Sequence, residues 1–320
     1  MKVITAEEIR QHLPMRDAIE VVELTMIRVS EGQANLPLRT VMDIDGTNRL
    51  GVMPGALSDP TLYGIKVLSL FPGNPAKGLS SHIGTVLLFD AETGQPRAAL
   101  DADAITAIRT AAATAVATRA LARPDARVLA LIGTGEQAES HIEALTVVRE
   151  IAEIRVAGRN PERANAFARR MADRYPGIRF TAAATAEKAV NGADIVCTLT
   201  SSPSVVLHGD WIGPGTHVNA VGASIPSMQE IDEALLLKSE LFVDYRPSAF
   251  AQAREIISAL ETGAMTEAHV RGEIGEVLAA KVPGRPDTDA ITLYRSLGIA
   301  AQDLACADHV CRAIGQPSSI

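Results

Sequence analysis

The chain is 320 residues long, 47% apolar and 21% charged, fractions that fit a soluble globular protein and exclude collagen-like, coiled-coil and disordered classes. Lysine and arginine number 30 against 38 aspartates and glutamates, a formal charge of −8. That balance argues against nucleic acid or a membrane as a partner, yet leaves room for a local basic pocket that takes a small anion. The length points to two domains, because single cores stop growing near roughly 250–300 residues.

Cys197, Cys306 and Cys311 form neither a redox pair nor a metal-ligand spacing, so no metal is expected, and an odd count fits reduced thiols. Met1 to Arg10 mixes Glu7 and Glu8 with Lys2 and lacks the apolar stretch of a signal peptide. No run approaches the roughly 18 apolar residues of a membrane span, so a cytoplasmic setting is expected. Aromatic residues are only 3%, which disfavours stacking platforms for single strands.

In chain order, Thr5-Ala6-Glu7-Glu8 reads as a capping box opening a short helix to Leu13. Pro14 opens a second helix, in which Ala18, Ile19, Val22, Met26 and Val29 recur on one face until Glu31-Gly32. The period then changes to that of strands: Leu38 to Ile44, Arg49 to Met53, Tyr63 to Phe71, Thr85 to Phe89 and Pro96 to Leu100. Asp90 to Gly94 is a five-residue hairpin loop, so this region is a mostly antiparallel α+β module. Ala104 to Ala122 is an alanine-rich helix stopped by Arg123-Pro124-Asp125. Val128 to Ile132 is a continuous apolar run, the mark of a strand buried on both faces of a parallel sheet. Strands at Ile154 to Ala157, Ile195 to Leu199, His217 to Val221 and Leu241 to Asp244 then alternate with helices such as Pro161 to Tyr175. The fold class is therefore α/β, a Rossmann-type doubly wound parallel sheet joined to a second α+β domain. The pattern leaves the sheet near Leu293, and Leu297 to Ile314 reads as a last helix.

Gly133-Thr134-Gly135-Glu136-Gln137-Ala138 follows the first parallel strand and opens a helix, matching G-x-G-x-x-A. Gly133 allows the tight turn, Gly135 admits a pyrophosphate, Ala138 lets helix and strand pack closely, and the helix N-terminus supplies free N–H groups. Enzymes that use NAD place a carboxylate at the end of the second strand for the ribose 2′-OH. Here that strand ends Val156-Ala157-Gly158-Arg159-Asn160, without one. Arg159, helped by Arg163, is placed to pair with a 2′-phosphate, so NADPH is preferred over NADH.

Three cations outside that domain stand among apolar neighbours: Arg39 in the first of the strands, Lys66 between Ile65 and Val67, and Arg109 in the alanine-rich helix. Each alone reads as a snorkelling surface charge; together they suit a carboxylate site. His82 is either a proton donor or a hydrogen-bonded structural histidine. Ser224 follows a strand whose carboxyl end faces the cofactor crevice, so it either meets nicotinamide or substrate or is an ordinary loop serine.

Taken together, several ordered blocks resemble the ornithine cyclodeaminase/mu-crystallin family over essentially the whole chain. They are Pro37-Leu38-Arg39, Gly51-Val52-Met53-Pro54, Ser81-His82, Val86 to Gly94, Ile105 to Ala112, the glycine turn, Asn219 to Ser224, and Ser296-Leu297-Gly298 with Asp303. The resemblance implies a homodimer paired through N-terminal β-rich domains. Residues 1–120 would bind substrate and dimerise, 121–293 would form the NAD(P)-binding domain inserted after them, and 294–320 would return as a helix to the first domain. Members reduce imines, deaminate amino acids oxidatively, or cyclise ornithine using bound NAD. By motif match Arg39, Lys66 and Arg109 would hold a substrate carboxylate. Ser81, Arg109, Glu136, Gln137, Thr200, Val221, Gly222, Ala223, Ser224 and Ser296 would line the cofactor, and Thr110 and Asn160 are further candidates for it. Cyclodeaminases carry a Glu in place of Gly51 and a catalytic Asp in place of Ser224, and the ketimine reductases resemble this chain at Ser224.

The expectation is an NAD(P)H-dependent reductase of cyclic 2-carboxy-imines, with Lys66, His82 or a water ordered by Ser224 as the proton source. The alternatives are an amino-acid dehydrogenase acting on alanine or an N-alkyl amino acid, a cyclodeaminase-like activity, and a non-catalytic nucleotide-binding protein.

Overall fold

Thr5 caps the first helix, accepting from the Glu8 backbone while the Glu8 carboxylate takes the Thr5 N–H, the reciprocal box that its spacing predicts. The computed structural model describes residues 1–58 and 61–315, and divides into two compact units, Met1–Thr110 with Ile299–Ile320, and Ala111–Gly298. The chain runs β1 (Lys2–Ile4), α1 (Ala6–His12), α2 (Met15–Ser30), β2 (Ala34–Asn35), β3 (Thr40–Asp43), β4 (Arg49–Ser58), β5 (Thr61–Leu70), β6 (His82–Phe89), β7 (Pro96–Asp101) and α3 (Ala102–Leu121). It continues with β8 (Val128–Ile132), α4 (Glu136–Val148), β9 (Glu153–Ala157), α5 (Pro161–Arg174), β10 (Arg179–Ala182), α6 (Ala186–Val190), β11 (Ile195–Thr198) and β12 (His217–Ala220). Next come α7 (Glu233–Lys238), β13 (Glu240–Val243), α8 (Arg246–Gln252), α9 (Arg254–Thr262), β14 (Val270–Glu273), α10 (Ile274–Leu278), β15 (Thr292–Arg295) and α11 (Ala300–Ala313). Among the described residues no helix is long and apolar enough to cross a membrane.

In the first unit the sheet order is β1-β7-β6-β5-β4-β2, with β3 on the same edge of β4 as β2. β1 pairs parallel with β7, which it meets only after α1, α2 and the strands between; the other pairs are antiparallel, β3 to β7 through successive chain reversals and β2 beside β4 across the intervening β3. The sheet carries α11, which packs on β4, β5 and β6 and against α2. That helix is buried nearly all round, from Ala300 through Asp308, as a helix sandwiched between a sheet and another helix must be. Its close approach is permitted at Gly64: a Cβ there would meet the Leu87 carbonyl oxygen at 2.2 Å and Leu304 Cδ2 at 2.8 Å.

The second unit holds the order β10-β9-β8-β11-β12-β15-β13-β14, parallel throughout. From β8 the chain builds outward through β9 and β10, then returns to β11 on the other side. The switch point therefore lies between β8 and β11, where open α/β sheets bind ligands.

Five strands escape the sequence periodicity, and two of them, Lys2–Ile4 and Ala34–Asn35, are too short to show a period. Arg179–Ala182 and Val270–Glu273 alternate polar residues at sheet edges. Thr292–Arg295 is only four residues long and ends in arginine, yet it is fully buried between β12 and β13. The parallel sheet therefore extends past Leu293, where the pattern had been expected to end, and the last helix starts at Ala300 rather than Leu297. Arg39 stands one residue before β3 rather than within it. Replacing Gly64 with alanine is expected to destabilise the protein by about 1–3 kcal/mol, since the added methyl must displace strand backbone. The shift in the urea midpoint measures it, and an unchanged midpoint contradicts this packing.

Candidate active site

The second unit presents a dinucleotide cradle at its switch point. Gly133 has φ +127°, and a Cβ would lie 2.6 Å from the Leu199 carbonyl oxygen, so both conformation and space demand glycine. Gly135 is the N-cap of α4 and brings no side chain to the helix start, while the Ala138 N–H turns back to the Gly135 carbonyl at 3.0 Å, so the helix N-terminus faces the turn with backbone alone. Glu136 opens the helix at the surface. The Oε1 of Gln137 is buried without a hydrogen-bond partner, an acceptor that a donor on a bound group would satisfy. Ala138 is sealed against Leu129 and Leu131 of β8. A turn that only glycine permits, a helix N-terminus behind it and an orphan acceptor fit a bound dinucleotide.

At the end of β9, Arg159 and Arg163 are exposed and Gly158 stands where a carboxylate would mark NAD. A Cβ on Gly158 would sit 3.1 Å from Thr134 Cγ2, so the glycine turn itself crowds that position. Asn160 is committed locally: its side chain accepts from the Arg163 N–H at 3.0 Å and caps α5.

The loops after β11 and β12 are held by a carboxylate that the sequence motifs do not single out. One oxygen of Glu230 accepts from the Thr200 N–H and hydroxyl, both at 2.7 Å. The other accepts from the Thr198 hydroxyl at 2.9 Å and from the N–H groups of Gly222 and Ala223 at 2.7 and 3.1 Å. Burial pushes the Glu230 carboxyl up, against the pull of these donors. Arg295 forms a buried ion pair with Glu255 and donates to the Ala223 carbonyl at 2.5 Å, while Asp244 accepts from the N–H groups of Leu297 and Gly298. Val221, Gly222, Ala223 and the partly exposed Ser224 are thus pinned from below, and buried Ser296 is tied to the Ala220 carbonyl at 3.0 Å.

The first unit gathers the cations. Lys66 on β5 is fully buried and donates to Asp303 Oδ1 on α11 at 2.7 Å. Arg109 on α3 donates through Nε to the same oxygen at 2.9 Å and through Nη1 to Gln302 Oε1 at 3.0 Å. Burial lowers the Lys66 ammonium to about 8, with Asp303 opposing the fall and Arg109 and Arg39 adding to it. Burial alone would raise Asp303, but Arg109 and Lys66 together hold it below the usual carboxylate range. Arg39, Lys66 and Arg109 therefore share one electrostatic neighbourhood. His82 lies within reach of it, exposed at the start of β6 with Nδ1 2.9 Å from the Ser81 hydroxyl. Thr110 follows Arg109 on the helix and is buried. Among the described residues no group of His, Cys, Asp and Glu is arranged to hold a metal ion.

Two buried carboxylates carry weak signals in the sequence. Asp303 is an acid inside an apolar helical run, Ala300 to Cys306, and such a position demands a cation. Glu230 stands beside Asp232 in a loop, with nothing in its surroundings to separate it from a solvated charge.

A sequence model described as the ornithine cyclodeaminase/mu-crystallin family matches residues 1–316. The mouse protein named ketimine reductase mu-crystallin is 33% identical over 309 residues, covering 95% of this chain and 94% of its own. The solved Δ1-pyrroline-2-carboxylate reductase of Thermococcus litoralis, in complex with NADH and L-proline, superposes with a TM-score of 0.94 at 33% identity, covering 98% of this chain and 97% of that one. An archaeal alanine dehydrogenase dimer with bound NAD gives 0.91 at 33% identity, covering 98% and 95%.

Glu230→Gln is expected to turn two acceptor oxygens into one acceptor and a donor facing N–H groups, costing about 3 kcal/mol. It is also expected to weaken cofactor affinity by loosening the 200 and 222 loops together. Urea denaturation and quenching of nicotinamide fluorescence read the two effects, and a variant equal to wild type in both rejects the anchoring role.

Proposed function

The chain belongs to the ornithine cyclodeaminase/mu-crystallin family and is an NAD(P)-dependent oxidoreductase, and from that premise we propose that it reduces cyclic 2-carboxy-imines. The substrates are Δ1-pyrroline-2-carboxylate or Δ1-piperideine-2-carboxylate, and the products L-proline or L-pipecolate. The observation that carries this reading is the cationic neighbourhood of Arg39, Lys66 and Arg109 in an otherwise acidic protein. A planar guanidinium edge suits a carboxylate, and the buried ammonium adds to the positive field. Cyclodeamination is disfavoured because, by the family resemblance, cyclodeaminases carry carboxylates where this chain has Gly51 and Ser224.

A bound nicotinamide supplies the hydride that adds to the imine carbon. The chain's own groups hold the carboxylate, which fixes the ring and lowers the entropic part of the barrier. The imine nitrogen takes a proton as the C=N bond becomes C–N. Lys66 is sealed from solvent and committed to Asp303, so the proton comes from exposed His82 or from water held by Ser224.

The solved relatives carry NADH and NAD; the reading for NADPH rests on this chain's own Gly158-Arg159 and on exposed Arg163. In the same reading the protein is a homodimer joined through the β-rich unit. There β3 pairs only with β4 and exposes all four residues, and Val41, Met42, Ile44 and Ile83 leave apolar surface open to a second copy. Residues 1–120 then bind substrate and dimerise, residues 121–293 bind the cofactor, and residues 294–320 belong with the first segment.

Purified protein is expected to oxidise NADPH with either cyclic imine and to do so poorly with pyruvate plus ammonia or methylamine. Activity on the acyclic pair alone replaces this reading with an amino-acid dehydrogenase. The ratio of kcat/KM for NADPH over NADH is expected to exceed one and to fall about tenfold in Arg159→Ala, the loss of about 1.4 kcal/mol of pairing. A wild-type ratio favouring NADH rejects the 2′-phosphate assignment. Lys66 loses its charge as the pH rises through about 8, so KM for the imine is expected to climb across that value and to be flat only well below it. Met42→Asp is expected to convert the dimer to monomer in light scattering; a wild-type monomer rejects the interface.

A further inference from the structure

Arg109 is the member of the cationic cluster whose guanidinium is oriented from two sides. Its Nε is fixed on Asp303 Oδ1 and its Nη1 on Gln302 Oε1, and both acceptors are completely buried. Nη2 makes no hydrogen bond among the described residues, and the Arg109 side chain keeps 7% exposure where Asp303 keeps none. Gln302 is itself restrained, because its amide donates to the Met26 sulfur on α2 at 3.2 Å. Lys66 supplies the second positive charge on Oδ1, while Oδ2 is buried without a partner. One carboxylate with two cations leaves the cluster positive, so an incoming anion is still attracted.

We propose that Asp303, with Gln302, is a positioning residue for substrate carboxylate recognition: it orients Arg109 so that the free Nη2 edge meets the carboxylate. The proposal rests on the carboxylate-binding reading above and goes beyond it. It says that the selectivity for an acid over its decarboxylated counterpart depends on a residue that never touches substrate. Lys66 occupies the rest of Oδ1 and keeps the carboxylate ionised, which preserves the charge-assisted bond to Nε. An arginine without this restraint samples many rotamers and loses part of its binding free energy to ordering.

The test compares Δ1-pyrroline-2-carboxylate with 2-methyl-Δ1-pyrroline, which lacks the carboxylate, as substrates of the NADPH-loaded enzyme. Asp303→Asn is expected to raise KM for the acid 10- to 100-fold, with kcat changed less than 3-fold and NADPH affinity within 2-fold. The wild-type preference for the acid should shrink by the same factor. Asp303→Glu should recover part of it. Gln302→Met, which leaves the Lys66 pair intact, should raise KM 3- to 10-fold and serves if Asp303→Asn does not fold. A folded Asp303→Asn or Gln302→Met that keeps the wild-type preference overturns the proposal and leaves Asp303 as a mere counterion for Lys66. Binding of L-proline against pyrrolidine to the NADP-loaded protein separates the two levels of inference. If wild type turns over neither imine yet binds L-proline selectively, and Asp303→Asn loses that selectivity, the reaction is wrong and the positioning stands. A wild type that shows neither turnover nor selective binding overturns both.

Discussion

A single carboxylate oxygen organises the first unit. Asp303 Oδ1 receives the ammonium of Lys66 and the guanidinium of Arg109, three groups separated by up to 237 positions in sequence and carried on a strand and two helices. Buried ions are tolerated only when paired, and removing one partner strands the others at a cost that can reach about 3–5 kcal/mol. The helix that returns at the end of the chain therefore brings more than apolar surface. It brings the anion without which β5 and α3 could not hold their cations inside. The close approach of Leu304 to Gly64, one residue further along α11, is the steric side of the same docking.

The second unit applies the same principle with the sign reversed. Glu230 is a buried anion answered not by a cation but by backbone N–H groups and two threonine hydroxyls, and so it ties the chain after β11 to the chain after β12. Arg295 and Glu255 neutralise each other beneath those loops, and the arginine's remaining donors go to carbonyls, including that of Ala223. In this way small residues, Gly222, Ala223 and Ser224, can form the surface of a site while charged residues supply its rigidity from below. Low local dielectric strengthens such networks when they are complete.

Much of the fold was legible because its signals are local. Val128 to Ile132 announces a buried parallel strand by apolar continuity, Thr5 and Glu8 announce a helix start by spacing, and Gly133 and Gly135 announce a phosphate turn because few backbones need two glycines there. The central strand Thr292–Arg295 was not legible, since four residues give no period and a terminal arginine reads as a surface charge. Asn160 was not legible as the cap of α5, a role that depends on where the helix begins.

The sequence by itself determined most of the helices and the longer strands, the glycine turn, the missing carboxylate at Gly158 and the presence of isolated cations among apolar residues, because each depends on neighbours a few positions away. Tertiary structure decided how those cations are compensated. Lys66 and Arg109 read equally well as snorkelling surface charges until α11 places Asp303 between them, and Glu230 looks like any loop acid until two strand ends converge on it. A buried charge must find its compensation wherever the fold supplies it, and folding can supply it from any distance along the chain.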